Sequence, residues 1–212
     1  MSNLNLLAFT YGSNDTRAEI EFRPVFPEAI RGDSDQIDEW ARTLLASMYK
    51  DLKHTDNWTC EICGDPARDA KYDIAIRTHL PTPDIVLYIH SICEEGNNLC
   101  TKTLQVQSDH MASLGGLSPG FMDRNRLKPA SKPFPLSGSC LNCQEDNTVN
   151  STPSRCGGCK LVRYCSTECQ SADWKRHKKI CKVIKSVKWA DDRARLFGDR
   201  RNLAQQVQAS AV

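Results

Sequence analysis

The sequence predicts a small α+β protein in which an N-terminal region of strands and helix precedes a cysteine-rich finger that closes on a helix. Three observations carry this reading. Apolar residues between Ala18 and Phe26 recur at every second position, the period of a strand with one buried face. Those between Ile37 and Leu52 recur at helical spacing and line one stripe. Eleven cysteines in 212 residues, six of them in C-x-x-C pairs, point to a structure organised around metal ions.

In chain order, Ala18, Ile20 and Phe22 alternate with Glu19, Glu21 and Arg23, and Pro24 and Pro27 end that strand or confine it to a sheet edge. A helix follows over residues 35–52, with Ile37, Trp40, Leu44, Leu45, Met48 and Leu52 on its stripe. Asp33, Ser34 and Asp35 offer capping oxygens, while Asp38 and Glu39 suit the positive end of the helix dipole. The stripe reads as core, with a groove for a partner helix as the alternative. Residues 85–92 are rich in β-branched side chains and read as a strand, and residues 101–114 as a short helix. From Gly115 to Ser139 glycine, proline, serine and lysine dominate, the composition of a linker. Four segments result: an α+β region over 1–114, a linker over 115–139, the finger over 140–181 and a basic helical extension over 182–212.

Composition narrows the class. A hydrophobic content of 40% with 25% charged residues is ordinary for a globular chain and excludes wholesale disorder. The apolar stretch from Leu4 to Phe9 is broken by Asn5 and lacks the basic flank of a secretory signal, and no run is long enough to span a membrane. The expectation is an intracellular protein, cytoplasmic or nuclear, with no membrane partner. In a reducing compartment many cysteines usually mean metal, and their odd number argues against a disulfide framework. The net charge of +2 conceals an asymmetry: eleven Lys and Arg against four Asp and Glu between Ser171 and Arg201 give +7, leaving −5 for the remainder. This basic stretch reads as a solvated helix face. Its sharper alternative is nucleic-acid binding, with Lys175, Arg176, Lys178, Lys179, Lys182, Lys185 and Lys188 on phosphates, although no aromatic residues interleave as a base-stacking surface requires.

The strongest signal is Cys140-x2-Cys143-x12-Cys156-x2-Cys159-x5-Cys165-x3-Cys169-x7-His177-x3-Cys181. Seven thiolates and one imidazole fill two tetrahedral zinc sites completely. His177 and Cys181 lie four apart in the helical stretch Asp173–Lys185, so both leave one helix face. Spacing alone does not say which donors share an ion. Outside the finger remain Cys60, Cys63, Cys93 and Cys100, one further set of four for a third zinc. A C-x-x-C turn, a strand and a loop entering a helix would form its knuckle. His90 is an alternative ligand in place of Cys93 or Cys100, and without metal these cysteines serve as small buried hydrophobes.

The run from Cys159 to Cys181, with its Tyr164-Cys165-Ser166 element and the Gln170-x-x-Asp173-Trp174 element, closely resembles the MYND zinc-finger family. The likeness covers Cys140 to Cys181 and departs only in a slightly long polar gap, Gln144 to Arg155. It implies a two-zinc cross-brace, with Cys140, Cys143, Cys165 and Cys169 on one Zn2+ and Cys156, Cys159, His177 and Cys181 on the other. Such interleaving would hold together a segment too short to build its own core, and metal removal would unfold it. The resemblance also implies a groove for short, often proline-rich peptides at Leu161–Tyr164, Ser166, Gln170 and Trp174. With both ions saturated by protein ligands, no position is left for water or substrate, so a protein-binding adaptor is expected and not an enzyme. Some MYND fingers are inserted in methyltransferase domains, but no segment here has the length or motifs of one. One rival motif, Gly116-Leu117-Ser118-Pro119-Gly120, fits G-x-S-x-G; Pro119 lacks the backbone N–H that an oxyanion hole needs.

Overall fold

The computed structural model describes residues 5–14, 16–77, 84–93, 99–114 and 134–191. The chain runs β1 (Asn5–Tyr11), β2 (Thr16–Phe22), α1 (Ser34–Lys53), β3 (Asp69–Arg77), β4 (Asp84–Ile92) and α2 (Leu99–Ser113). The finger then adds β5 (Ser154–Arg155), β6 (Arg163–Tyr164) and α3 (Thr167–Val183), and β7 (Ile184–Asp191) follows without a break.

Five strands form one sheet in the order β3-β4-β1-β2-β7. Within it β1 and β4 run parallel, and every other neighbouring pair is antiparallel. Alternation decides which way each strand faces. Leu6 pairs with Phe22, Ala8 with Ile20 and Thr10 with Ala18, and these six residues are all buried on one side. Against that side lies α1, through Ile37, Ala41, Leu45, Met48 and Leu52. Of the capping candidates it is Asp33 that closes the helix, accepting from the Asp35 and Gln36 amides at 3.1 and 3.0 Å. Trp40 and Leu44 are only partly buried at the margin, so the stripe is core and not an open groove.

The finger does not stand apart from this sheet. Leu141, Leu161, Val162, Tyr164, Ile180 and Ile184 belong to the same buried cluster as Leu6, Ile20, Met48 and Leu52. The end of the expected linker is docked as well: Arg68 donates to the Phe134 carbonyl at 2.7 Å, and the Ser137 amide to the Ala67 carbonyl at 2.9 Å. At Gly138 an added Cβ would lie 1.7 Å from Asn57 Oδ1, so only glycine lets the two backbones approach this closely. The serine of the G-x-S-x-G motif, Ser118, lies outside the described residues.

The basic extension expected to be helical from residue 182 is corrected by the structure. The helix stops at Val183, and Ile184–Asp191 is a strand on the open edge of β2, with Val187 opposite Ile20 and Trp189 opposite Ala18. Lysines favour a helix here, but Ile184, Val187 and Trp189 suit a pleated surface, and an unpaired strand edge lies within reach. Trp189 is held from the finger side, where the Arg155 guanidinium stacks over its ring at 3.8 Å. Residues 192–212 lie outside the described residues.

One shared core predicts one unfolding transition. Leu52→Ala removes a fully buried side chain of α1 and should lower stability by about 2–5 kcal/mol. In urea, with zinc present, tryptophan fluorescence and the cysteine-rich region's absorbance should shift together; separate midpoints would show two independent units.

Candidate metal centres and the groove beside them

Three clusters of four donors assemble, and their membership follows from how the turns aim each side chain. Each C-x-x-C pair is a knuckle closed by the same hydrogen bond. The amides of Gly64, Gln144 and Lys160 donate to the carbonyls of Cys60, Cys140 and Cys156, each at 2.9 Å. The donor residue takes a left-handed backbone in all three, at φ 82°, 58° and 60°. Glycine meets that demand freely at Gly64, whereas Gln144 and Lys160 adopt it against their own preference. The other donors come from the start of α3, where Ser166 caps the helix by accepting from the Cys169 amide at 3.2 Å, and from its far end, where His177 and Cys181 share a face.

The structure brings Cys140, Cys143, Cys165 and Cys169 into one group and Cys156, Cys159, His177 and Cys181 into another, with all donor atoms of a group within 4.8 Å of one another. This is the interleaved arrangement. A tetrahedron with Zn–S bonds of about 2.3 Å has S···S edges of about 3.8 Å, and S···N edges of about 3.6 Å when imidazole replaces one thiolate. Observed separations are 3.8 Å for Cys143–Cys165, 3.5 Å for Cys165–Cys169, 4.0 Å for Cys156–Cys181 and 3.6 Å from Cys159 Sγ to His177 Nε2. A disulfide would need about 2.05 Å, and every described cysteine is a free thiol. The donor set therefore fits zinc, which is the ion of the finger.

Electrostatics agree. Burial resists ionisation of Cys140 and Cys156, yet the knuckle amides overcome it and draw both thiols down to about 7. Cys143, Cys165 and Cys181 move the opposite way, pushed up by burial and by the sulfurs packed beside them. Four thiolates this close ionise together only around a cation. Compactness is enforced locally too, since a Cβ on Gly158 would stand 2.9 Å from Cys181 Sγ.

A third group unites Cys60, Cys63, Cys93 and Cys100, joining the knuckle after α1, the end of β4 and the start of α2. Its donors suit a third zinc equally well. His90 is not among them. Its Nδ1–H donates to Glu61 Oε2 at 2.8 Å, and its Nε2 faces Asp73 at 3.7 Å.

Around His177 lies a residue that motif reading missed. Asp51 of α1 is fully buried and meets His177 Nδ1 at 2.7 Å. That contact keeps the ring proton on Nδ1 and leaves Nε2 as the metal donor. Arg176 forks between Asp51 and Asp173, and Tyr164 Oη donates to Asp173 at 2.8 Å, so the buried carboxylates are compensated. Asp51 stands 126 positions from His177 in sequence; its only local sign is an acid on the apolar stripe, between Met48 and Leu52.

The expected peptide groove is partly redrawn. Leu161, Val162 and Tyr164 are buried, and the Tyr164 hydroxyl is spent on Asp173, so their side chains support the finger from within. Ser166 is the helix cap. Gln170 and Trp174 do line a common groove of about 320 Å³, joined by Ser171, which sequence reading did not single out. Trp174 is 40% exposed, its inner edge resting near the His177 ring.

Comparison with known proteins agrees with this geometry. The MYND finger family's profile matches residues 140–181. A SET and MYND domain-containing protein of Dictyostelium discoideum is 43% identical over 54 residues, covering 26% of this chain and 10% of that protein. A histone-lysine N-methyltransferase of Homo sapiens is 44% identical over 46 residues, 21% of this chain and 11% of its own length. A ubiquitin carboxyl-terminal hydrolase of Arabidopsis thaliana is 43% identical over 97 residues, 41% of this chain and 13% of its own. The chain thus spans about a tenth of the length of these relatives. No solved structure matches it. Residues 140–181 are a MYND zinc finger.

Two outcomes are expected. Native mass spectrometry of the zinc-loaded chain should find three ions; two would remove the Cys60 cluster as a metal site. Asp51→Ala should speed chelator extraction of the His177-bearing ion by about 10–100-fold while the all-cysteine finger ion leaves at its usual rate. Unchanged release of both would deny Asp51 its role.

Proposed function

We propose that this chain is a non-catalytic adaptor that captures short, proline-rich peptides on the exposed face of its finger. A MYND finger is in general a protein–protein interaction module. The observation that carries the finer reading is the groove of Gln170, Ser171 and Trp174. Two tryptophans are exposed, Trp174 and Trp189; Trp189 lies under the Arg155 guanidinium, whereas Trp174 lines the groove with its flat indole face. Such a face suits a polyproline-like ligand, whose preformed extended backbone loses little freedom on binding. Gln170 Nε2 donates to Cys156 Sγ at 3.6 Å, which leaves the side-chain carbonyl to accept from an extended peptide's backbone.

A non-enzymatic role is supported by the donor count. Each finger cluster already supplies four protein ligands, the pattern of a structural ion whose coordination leaves no open position. Eleven cysteines kept as thiols suit a reducing, intracellular setting. Among the described residues no helix is long and apolar enough to cross a membrane.

The test is Trp174→Ala, titrated by calorimetry with a synthetic proline-rich decapeptide. Affinity should fall at least about tenfold, the scale of losing one aromatic hot spot, with zinc content unchanged. Equal binding by variant and parent would take Trp174 out of the groove.

A further inference from the structure

We infer that the partner peptide is acidic beyond its apolar part, and that its carboxylates lie along the outer face of α3. This deepens the groove reading and rests on it.

Lys175, Lys178, Lys179 and Lys182 are all exposed. At about 100° per residue they fall within an arc of about 100°, and at 1.5 Å per residue the row is about 10 Å long. None of the four forms an ion pair among the described residues. The one acid on the same face is Glu168, back in the first turn. Arg176, by contrast, is turned inward to Asp51 and Asp173. The row begins one residue after Trp174, so a ligand seated on the indole meets the lysines as soon as it continues along the helix.

Four uncompensated like charges in two turns cost the helix a little repulsion, and a negative partner relieves it. The negative end of the α3 dipole lies there as well and opposes an anion, so the attraction comes from the side chains.

The extent of the positive surface selects a peptide over a nucleic acid. Among the described residues beyond α3, exposed Lys185 is followed by charge that is interrupted: Lys188 of β7 is opposite Glu19 in register, and Glu21 beside it accepts from Ser186 and Arg23. Trp189 is stacked under Arg155 and is thereby engaged on that face, leaving Trp174 as the free platform. A single aromatic followed by a short basic row matches a short acidic peptide. A nucleic-acid strand would need a longer track with stacking residues spaced along it.

The experiment is fluorescence anisotropy with the full zinc-loaded chain and three labelled probes: a proline-rich core followed by four glutamates, the same core followed by four glutamines, and a 20-base-pair DNA duplex. The glutamate peptide should bind on the order of tenfold tighter than the glutamine peptide at low salt, the sum of a few exposed ion pairs. Replacing all four lysines by glutamine should erase that difference and leave glutamine-peptide affinity and zinc content intact. Lys188→Gln should leave it in place. Equal affinity for the two peptides in the parent protein overturns the acidic preference while the groove stands. Binding of neither peptide overturns the groove reading and this inference with it. Tighter binding of duplex than of the glutamate peptide, lost steeply with salt, assigns the row to nucleic acid instead.

Discussion

Four thiolates, or three with an imidazole, crowded into a space less than 5 Å across repel one another unless a cation sits among them, and most of this molecule is arranged around that constraint. The two finger clusters take their donors alternately along the chain. Closing either one therefore ties residues near 140–160 to the length of α3. A segment of this size buries little apolar surface by itself, and the ions supply the cross-links that a larger core would otherwise provide.

The finger is nevertheless not a free-standing unit. Leu141, Leu161 and Ile180 pack into the core that α1 and the sheet already share, and β7 carries the chain directly from α3 back to that sheet. Asp51 makes the tie chemical as well as steric. A carboxylate on the N-terminal helix fixes the imidazole of a metal ligand in the C-terminal helix, so zinc retention and the packing of α1 stabilise one another. The Arg176 fork and the Tyr164 hydroxyl keep that buried charge paired. The same contacts bury Tyr164 and pair the partly exposed Arg176, which leaves Trp174 and the lysine row as the unpaired features α3 offers to a partner.

Much of the site was legible before any coordinates. Eight donors at fixed spacing, and the Gln170-x-x-Asp173-Trp174 element beside them, name the ligands because tetrahedral coordination tolerates few alternatives. The α1 stripe and the β2 and β4 patterns were likewise visible, since burial on one face leaves a period in the residues. β1, β3 and β7 were harder. Asp69–Arg77 carries polar residues at Lys71 and Asp73, the latter bonded by Ser108 of α2, and Ile184–Asp191 has a composition a helix would also accept. In both cases the deciding partner is distant in sequence, and a strand without its neighbour has no local hydrogen bonds to announce it.

What the sequence determined by itself is the chemistry: which side chains bind metal, that they come in sets of four, and which helix carries the last two. Those facts are local, because ligand spacing and helical period act over a few residues. Only the tertiary structure decided that β7 returns to the sheet, that Tyr164 faces inward, and that Asp51 reaches His177. The return of β7 and the Asp51 contact join residues 165 and 126 positions apart, and nothing in either segment alone encodes the choice.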